Sequence, residues 1–276
     1  MSSYYWLASY PKSGNTWLRL SLSSLDRGGA PPDFTTTKLF APISGDRAAI
    51  DEMVDIDTAD LTAAEAQALL PDFFRLEAAW LKKPQLRKVH EAWTITDGRP
   101  LFPPNLTAGA IYIVRDPRDV AVSLAHHLSV CIDEAIAFMN DPHAMLARGE
   151  LHGMSQIQQE LLTWSEHVRS WMGAPIRLLL LRYEDMLADP VKALSDAANH
   201  LGWQASAEHI ARAVAATRFD ALRAAEERFG FREKAGPDVR FFRRGVAGGW
   251  RDTLSARQVA TIEAAHHHVM AELGYL

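Results

Sequence analysis

Short apolar runs alternate along this chain with longer stretches in which apolar residues recur every three or four positions. The apolar runs predict four buried strands, at Tyr4–Tyr10, Leu86–His90, Ala110–Val114 and Arg177–Tyr183. The longer stretches predict helices that begin near Thr16 and at Pro117, and further helices over Ser155–Trp171, Pro190–Leu201, Ala207–Ala216 and Ser255–Leu273. Strands that alternate with helices in this way favour an α/β fold with a central, mostly parallel sheet flanked by helices.

Two long segments interrupt the alternation. Residues 30–50 are rich in Pro, Thr, Asp and Gly, and residues 230–250 combine glycine, arginine and aromatic residues without a clear period. Loops of this length in a compact domain are usually functional lids or disordered segments. No linker divides the chain, so we predict one domain over residues 1–276.

Composition and charge narrow the class of protein. The chain has 276 residues, of which 48% are hydrophobic and 23% charged, and its formal net charge of −5 argues against a general nucleic-acid binder. A single cysteine, Cys131, excludes a disulfide framework and a thiolate metal cluster, and it fits a reducing compartment. No apolar run approaches the ~18 residues of a membrane span, and the start of the chain shows no signal-peptide pattern. We therefore expect a soluble, cytoplasmic protein.

A glycine-containing turn follows the first predicted strand and precedes a helix, over Tyr10–Trp17. Such a turn presents several backbone N–H groups and the positive end of the helix dipole to an anion. Lys12 adds a positive charge, and Ser13 and Thr16 add hydroxyl donors. The segment lacks the order G-x-x-x-x-G-K-[ST], so it is not a Walker A loop. It predicts a phosphate-binding strand–loop–helix, with a plain surface connection as the alternative.

Two arginine-containing segments could complete an anion site. Arg115 lies at the carboxyl end of a predicted strand, where open α/β sheets bind ligands, and Ser123 follows eight residues later. The alternative for Arg115 is a structural ion pair with Asp119. Arg243 and Arg244 precede a glycine-rich turn, and planar guanidinium donors at that position could clamp a phosphate. The alternative there is a solvated basic loop.

Histidines offer one candidate base. His90 ends a short strand two residues after Lys88, and a histidine near its ordinary pKa of ~6.5 can accept a proton at working pH. The alternative is a structural histidine. The run His266–His268 is predicted to be surface, because consecutive helical positions point about 100° apart and cannot all face one metal.

Taken together, these segments resemble the cytosolic-type, PAPS-dependent sulfotransferase family in its bacterial-like, small-molecule form. The family motif YPKSGTTW is similar to Tyr10–Trp17, its 3′-phosphate motif to Arg115–Ser123, its K-T-H segment to Lys88–His90, and its R-K-G-x-x-G-D-W loop to Arg243–Trp250. Further matches are Trp164–Trp171, Leu181–Met186 and Thr217–Phe219. The matches keep the family's order from about residue 4 to residue 255.

Four positions depart from the family pattern. Asn15 replaces a threonine of the phosphate loop, and Val89 replaces the threonine between Lys88 and His90. Gly249 replaces the acidic residue of the C-terminal loop and Arg251 replaces its lysine. The K-x-x-x-T-V-x-x-x-E motif of the family's dimers is not seen ahead of Arg243, so the oligomeric state stays open.

The resemblance implies transfer of a sulfuryl group from 3′-phosphoadenosine 5′-phosphosulfate (PAPS) to a hydroxyl or, less readily, an amine, with 3′-phosphoadenosine 5′-phosphate (PAP) as product and no metal. It implies that Lys12 stabilises the leaving group, that Lys88 adds positive charge and that His90 takes the acceptor's proton. It assigns cofactor binding to Lys12, Ser13, Gly14, Asn15, Thr16, Trp17, Arg115, Ser123, Tyr183, Thr217, Phe219, Arg243, Arg244 and Gly245. Residues 230–250 would then cover the cofactor.

The acceptor depends on segments 30–85 and 126–152, which match no motif. They contain aromatic and histidine side chains that either line an apolar pocket or belong to the core: Phe34, Phe40, Phe73, Phe74, Trp80, His126, His127 and Phe138. Residues 46–77 hold nine acidic residues and two basic ones, so a cationic or large polar acceptor is also conceivable. We expect a hydroxylated small molecule or natural-product scaffold, with a glycan or peptide as the alternative.

Two other functions are weighed against sulfuryl transfer. A P-loop-like nucleoside or sugar kinase would need a GK[ST] lysine–hydroxyl pair and a magnesium carboxylate after a strand, and the sequence offers neither. A non-catalytic nucleotide-binding module would need no base, so the presence of Lys12 and His90 argues against it.

Overall fold

Strands and helices alternate along the chain, of which the computed structural model describes residues 4–35, 40–147, 155–234 and 240–276. The strands are β1 (Tyr4–Ser9), β2 (Gln85–Val89), β3 (Ile95–Thr96), β4 (Arg99–Pro100), β5 (Thr107–Val114), β6 (Met145–Leu146), β7 (Gln159–Glu160) and β8 (Leu178–Arg182). The helices are α1 (Asn15–Asp26), α2 (Arg47–Val54), α3 (Ala63–Ala68), α4 (Leu70–Ala78), α5 (Pro117–Leu128), α6 (Ile132–Met139), α7 (Trp164–Met172), α8 (Tyr183–Ala188), α9 (Pro190–His200), α10 (Ala207–Ala216), α11 (Phe219–Phe229) and α12 (Ala256–Glu272). Single 3₁₀ turns cover Thr58–Asp60, Pro104–Leu106 and Gly249–Asp252.

A four-stranded parallel sheet carries the fold, with its strands in the order β2-β1-β5-β8. β1 pairs with β2 from Tyr4↔Gln85 to Ala8↔Val89. Five of the six residues of β1 are buried, as expected for a parallel strand covered on both faces. The predicted α/β fold with a central parallel sheet flanked by helices is confirmed.

The chain divides into two compact units. The first comprises Met1–Tyr10, Ala41–Tyr112 and Phe138–Leu180, and the second comprises Pro11–Phe40, Ile113–Ala137 and Leu181–Leu276, each counted over its described residues. One domain over residues 1–276 stays a prediction. Within the predicted loops 30–50, 126–152 and 230–250, residues 36–39, 148–152 and 235–239 lie outside the described residues.

An aromatic cluster forms the core of the first unit. The fully buried Trp6 ring lies 4.9 Å from Tyr4, 5.0 Å from Phe74 and 4.9 Å from Phe102, measured between ring centroids. Its indole N–H donates to the Thr107 hydroxyl at 2.9 Å, so the polar end of the ring is satisfied inside the core. Phe73 and Phe74, which the sequence left as pocket or core, are core.

Arg118 organises the second unit near the start of α5. Its guanidinium contacts Asp116 at 2.8 Å and Glu263 at 2.6 Å, and it donates to the Tyr275 carbonyl at 2.7 Å. Only 7% of Arg118 is exposed, and pairing of this kind is what makes burial of a guanidinium tolerable. These contacts fasten the C-terminal helix α12 and the last residues to the start of α5.

The predicted helix over Ser155–Trp171 is wrong in its first half. The chain forms β7 there, and α7 begins only at Trp164. The reason is a capping box, in which the Thr163 side chain accepts from the Glu166 backbone N–H and Glu166 reaches back to the Thr163 backbone N–H. This reciprocal pair satisfies two orphan donors and starts the helix at that point.

No single helix in the described ranges is long and apolar enough to cross a membrane. The helices α5 and α6 reach that length and composition only as a pair, and they are bent by 114° at the break between them.

The predicted surface position of His266 is also wrong. His266 is 2% exposed on the inner face of α12, whereas His267 and His268 are exposed. Consecutive helical residues point in different directions, so a run of three histidines places one of them inward. Burial lowers the pKa of His266 to about 4.

We predict that His266 makes the fold sensitive to acid. Its pKa is lower in the folded state than in the unfolded chain, so the unfolded state binds the proton more readily and stability falls as pH drops from about 6.5 towards 4. Between pH 7 and pH 5 this one group removes up to about 2 kcal/mol from the free energy of unfolding. Urea unfolding of His266→Leu at both pH values should show a smaller loss than the unsubstituted protein. The exposed His267→Leu is the control, and equal losses in the two variants would contradict the prediction.

Candidate active site

Four predicted site segments follow the carboxyl ends of the four strands of the sheet, Thr217 and Phe219 lie where α10 ends and α11 begins, and the remaining segment is the C-terminal loop, Arg243–Trp250. Lys12 follows β1, His90 follows β2, Arg115 follows β5 and Tyr183 follows β8. Open α/β sheets bind ligands outside the carboxyl ends of their strands.

The predicted phosphate loop, Tyr10–Trp17, runs from the end of β1 into the N-terminus of α1. Lys12 and Gly14 have positive φ angles of 69° and 105°, and α1 begins directly after them at Asn15. No described side chain caps the N-terminus of α1, and the helix carries no acidic residue in its first turn. The Ser13 hydroxyl is fully buried and has no hydrogen-bond partner among the described residues. Together these groups form the donor set that an anion requires.

Glycine is required at position 14 because an aromatic ring packs against it. A Cβ atom there would lie 2.6 Å from Cδ2 of Tyr183, closer than any real contact. The φ angle of 105° is also one that side-chain-bearing residues rarely adopt. Gly14 therefore lets the phosphate loop approach the ring of Tyr183.

Arg115 joins three parts of the second unit. Its guanidinium donates to the Lys12 carbonyl at 3.1 Å and to the Val246 carbonyl at 3.0 Å, and it lies 4.3 Å from the centre of the Tyr183 ring. The carboxylate of Asp119 is 4.0 Å away, so the ion pair offered as the alternative is at the limit of contact. The Nε of Arg115 is buried without a hydrogen-bond partner in the described part of the chain.

Asp119 holds the C-terminal loop, a role that the sequence did not reveal. Its carboxylate accepts from the backbone N–H of Gly248 at 2.6 Å and from that of Trp250 at 2.9 Å. A Cβ atom at Gly249, between these two donors, would lie 3.8 Å from the Asp119 carboxylate. The same Cβ position lies 3.6 Å from the Arg244 guanidinium, so Gly249 packs between a carboxylate and a guanidinium. The only signal in the sequence was the four-residue spacing from Arg115.

The two adjacent arginines of the C-terminal loop add uncompensated positive charge. Arg243 is half-buried and Arg244 is exposed, and neither has an ion-pair partner among the residues that the structure describes. Burial and the nearby charges of Arg244 and Arg115 lower the pKa of Arg243. Three guanidiniums close enough to repel one another form a site that favours an anion.

The residues predicted to frame an adenine also come together in the second unit. The Trp17 indole N–H donates to the Thr217 carbonyl at 3.0 Å, and the Trp17 and Tyr183 rings meet edge to face with centroids 5.9 Å apart. The Thr217 hydroxyl contacts Ser21 at 2.9 Å and donates to the Ala213 carbonyl. The side chain of Thr217 is therefore engaged within the protein.

Phe219, Thr16 and Ser123 complete the predicted cofactor set. Phe219 packs against Leu20 and Leu222. Thr16 donates to Glu233 at 3.3 Å, and Ser123 is half-buried on α5 with a hydroxyl that has no described partner.

Lys88 and His90 belong to the first unit. Lys88 lies in β2, is 8% exposed and exchanges backbone hydrogen bonds of 2.9 Å with Pro42 and Ser44. The half-buried His90 places Nδ1 2.8 Å from the Ser9 carbonyl. A carbonyl only accepts, so Nδ1 carries the hydrogen and Nε2 of the neutral ring is a proton acceptor. The chemistry required of a base is thus present at Nε2.

A cavity of about 300 Å³ lies in the second unit beside α1. Phe34 and Phe40, two of the predicted pocket residues, line it together with Phe231. A buried ion pair between Arg19 and Glu233 forms part of its wall. The Phe231 ring contacts Phe241 at 4.8 Å, and the Lys12 ammonium lies 4.6 Å from the centre of the Phe241 ring.

The chain matches the sulfotransferase domain family over residues 3–274. It is a member of the sulfotransferase family. It is 26% identical to human sulfotransferase 2B1 over 59% of this chain, a match that spans 44% of that protein's length. It is 25% identical to cytosolic sulfotransferase 16 of Arabidopsis thaliana over 98% of this chain and 77% of that protein.

Two solved structures with PAP bound share the fold. One is retinol dehydratase in complex with androsterone and the inactive cofactor PAP, with a TM-score of 0.62 and 22% identity over 97% of this chain and 80% of that one. The other is mouse sulfotransferase SULT7A1 complexed with PAP, with a TM-score of 0.61 and 20% identity over 97% of this chain and 84% of that one. In this member of the family, no group of three or more His, Cys, Asp or Glu that could hold a metal occurs among the described residues. That the reaction needs no metal stays a prediction.

We predict that Gly245→Ala separates the C-terminal loop from Phe219. A Cβ atom at 245 would lie 2.2 Å from Cδ2 of Phe219. Gly28→Ala is a matched control, because Gly28 has a similar φ of 67°, against 63°, but nothing within 4 Å of its Cβ position. Both variants carry a backbone penalty of about 1–2 kcal/mol. Only Gly245→Ala should also weaken PAP binding measured by calorimetry, and equal PAP affinities in the two variants would contradict the assigned contact.

Proposed function

We propose that this sulfotransferase moves a sulfuryl group from PAPS to a hydroxyl group of a small molecule. The observation that carries the proposal is the set of anion donors gathered in the second unit. It contains the uncapped N-terminus of α1, the buried Ser13 hydroxyl and the guanidiniums of Arg115, Arg243 and Arg244. A donor with a phosphosulfate and a 3′-phosphate suits such a set. Family membership disfavours the kinase alternative.

This set of residues fits PAPS because two of its buried donor atoms have no hydrogen-bond partner in the described part of the chain. Ser13 Oγ and Arg115 Nε are buried donors with no partner in the described ranges, and a buried donor left unpaired costs about 1–3 kcal/mol. A phosphate oxygen would remove that cost. Trp17, Tyr183, Thr217 and Phe219 would hold the adenosine, with Thr217 fixing the Trp17 ring through its carbonyl, which accepts from the indole N–H.

The proposed reaction forms one S–O bond and breaks another. Bound PAPS supplies the sulfuryl group, and PAP leaves with the electron pair of the broken bond. Lys12 stabilises the negative charge that develops on the bridging oxygen, and Lys88 adds positive charge beside the transferred group. His90 accepts the proton of the acceptor hydroxyl at Nε2, the ring nitrogen opposite the Nδ1 that donates to the Ser9 carbonyl.

Replacing His90 and Arg244 separately should show that sulfuryl transfer and PAP binding depend on different residues. His90→Ala is expected to lower kcat about 10²–10⁴-fold while PAP affinity is unchanged, because the base is removed and the anion donors stay. Arg244→Ala is expected to weaken PAP binding about 10–100-fold through loss of charge-assisted hydrogen bonds. Calorimetry with PAP and transfer of labelled sulfate from PAPS measure the two effects. Undiminished transfer by His90→Ala would contradict the role of the base.

The acceptor is proposed to be a hydroxylated small molecule. The cavity beside α1 has a volume of about 300 Å³, which is the size of a small-ligand pocket. Its wall combines three phenyl rings with the charged side chains of Arg19, Arg27, Asp33, Arg232 and Glu233. The structurally similar retinol dehydratases were solved in complex with androsterone and with retinol. The glycan or peptide acceptor is the alternative. A cytoplasmic location stays a prediction from composition.

A panel of acceptors distinguishes these classes. We expect transfer of labelled sulfate from PAPS to small phenols, sterols or polyketide-like alcohols and none to polysaccharides or tyrosine peptides. Phe34→Ala should raise the KM for the accepted small molecule with little change in the KM for PAPS, and exposed Phe229→Ala should change neither. Turnover restricted to glycans or peptides would overturn the acceptor class.

A further inference from the structure

The backbone just after β2 is held by side chains of α7. His167 places its Nε2 2.9 Å from the carbonyl oxygen of His90, and the Trp171 indole N–H donates to the next carbonyl, that of Glu91, at 3.0 Å. Both side chains are fully buried in the first unit. The segment that carries the proposed base is thus fixed by side-chain donors from a neighbouring helix.

The hydrogen-bond direction at His167 is determined by its surroundings. Nε2 faces a carbonyl, which only accepts, so this nitrogen carries the hydrogen. Nδ1 then accepts from the Tyr112 hydroxyl, which lies 2.8 Å away on β5. Burial lowers the pKa of His167 to about 4, so the ring is neutral at working pH and keeps this one tautomer. A neutral imidazole that is hydrogen-bonded at both ring nitrogens is a rigid spacer in the core between β5 and His90.

Glu91 restrains the same segment from its other side. Its carboxylate accepts from the His90 backbone N–H at 3.1 Å and contacts the Ser44 hydroxyl at 2.8 and 2.9 Å. Glu91 is fully buried, and burial raises the pKa of its carboxyl. The N–H and the C=O of His90 are therefore both bonded to buried side chains.

The ring of His90 is fixed by a third element. Its Nδ1 donates to the Ser9 carbonyl at the end of β1, with the Ser9 hydroxyl 3.4 Å away. Restraint of both the backbone and the ring defines where Nε2 lies. Catalytic groups need such definition, because a displacement of about 1 Å from a productive geometry can cost about 10²-fold in rate.

We infer that His167 is a positioning residue for proton abstraction, which acts by donating from Nε2 to the His90 carbonyl. The inference rests on the proposed role of His90 as the base. It gives a task to the Trp164–Trp171 helix, which the sequence marks as a family match without a chemical role. His167 does not touch the substrate, so its effect is confined to the placement of His90.

The test compares three variants on α7. His167→Leu removes the donor, His167→Gln replaces it with an amide N–H at the position of Nε2, and Val168→Ala damages the core at the fully buried neighbouring residue without removing a hydrogen bond. We expect His167→Leu to lower kcat about 10–100-fold with KM for PAPS and PAP affinity unchanged. His167→Gln should recover most of kcat, and Val168→Ala should retain nearly all of it.

A spectroscopic readout makes the test independent of turnover. ¹⁵N NMR of the histidine rings should show His90 as a single Nδ1–H tautomer in the unsubstituted protein and in His167→Gln. In His167→Leu the two His90 nitrogens should shift towards the averaged values of a mobile ring. The proposed PAP-binding donors belong to the second unit, so calorimetry with PAP reports whether that unit is intact, and the core variant Val168→Ala reports the effect of damage to the first unit.

The inference would be overturned by any of four results, of which three concern His90 and its activity. These three are an unchanged kcat in His167→Leu, a loss no larger than that of Val168→Ala, or unaltered ¹⁵N signals of His90. The fourth, loss of PAP affinity together with kcat, would show a merely structural role. If the unsubstituted protein transfers no sulfuryl group, or if His90→Ala is fully active, the proposed function fails instead. In that case the NMR comparison still decides whether His167 holds His90.

Discussion

The candidate site in the second unit depends on the hydrogen bonds made by the guanidinium of Arg115. This guanidinium bonds to the Lys12 carbonyl in the phosphate loop and to the Val246 carbonyl in the C-terminal loop, and it covers the ring of Tyr183. A planar group with five N–H donors can serve three neighbours at once, which a lysine ammonium could not do with the same geometry. Both carbonyl contacts use Nη atoms, so the buried Nε stays available to a ligand. The interaction thus orders the site and leaves part of it ready to bind.

The polar groups of the two units are arranged in opposite ways: those around His90 are paired with one another, and those around Arg243 carry like charges. Around His90 the polar groups are buried and satisfied, and burial lowers the pKa of His167 to about 4 so that it stays neutral. Around Arg243 positive charges lie close enough to repel each other, and the pKa of Arg243 is lowered by burial and by Arg244 and Arg115. A satisfied network favours one fixed geometry, whereas an unbalanced set of like charges favours a bound counter-charge.

The departures from the family pattern have local physical consequences. Gly249 lies between Gly248 and Trp250, whose backbone N–H groups donate to the Asp119 carboxylate. A side chain at position 249 would approach this carboxylate. Val89 is fully buried in β2, so the position between Lys88 and His90 serves packing in this chain. Both replacements therefore leave the polar groups beside them paired.

The sequence by itself determined the parallel α/β fold and the positions of its four main strands along the chain. Buried parallel strands are short apolar runs, and the turns that bound them carry Gly, Pro and Asp. The sequence also indicated the phosphate loop and the arginine segments, whose residue types are needed for binding anions. The apolar pattern did not show that α7 begins at Trp164, because the capping box of Thr163 and Glu166 sets that start. It also did not show that His266 points into the core. Only the tertiary structure decided that Asp119 holds the C-terminal loop and that His167 holds His90. Such contacts join residues 77 to 131 positions apart, and no local pattern records which distant backbone group a side chain meets.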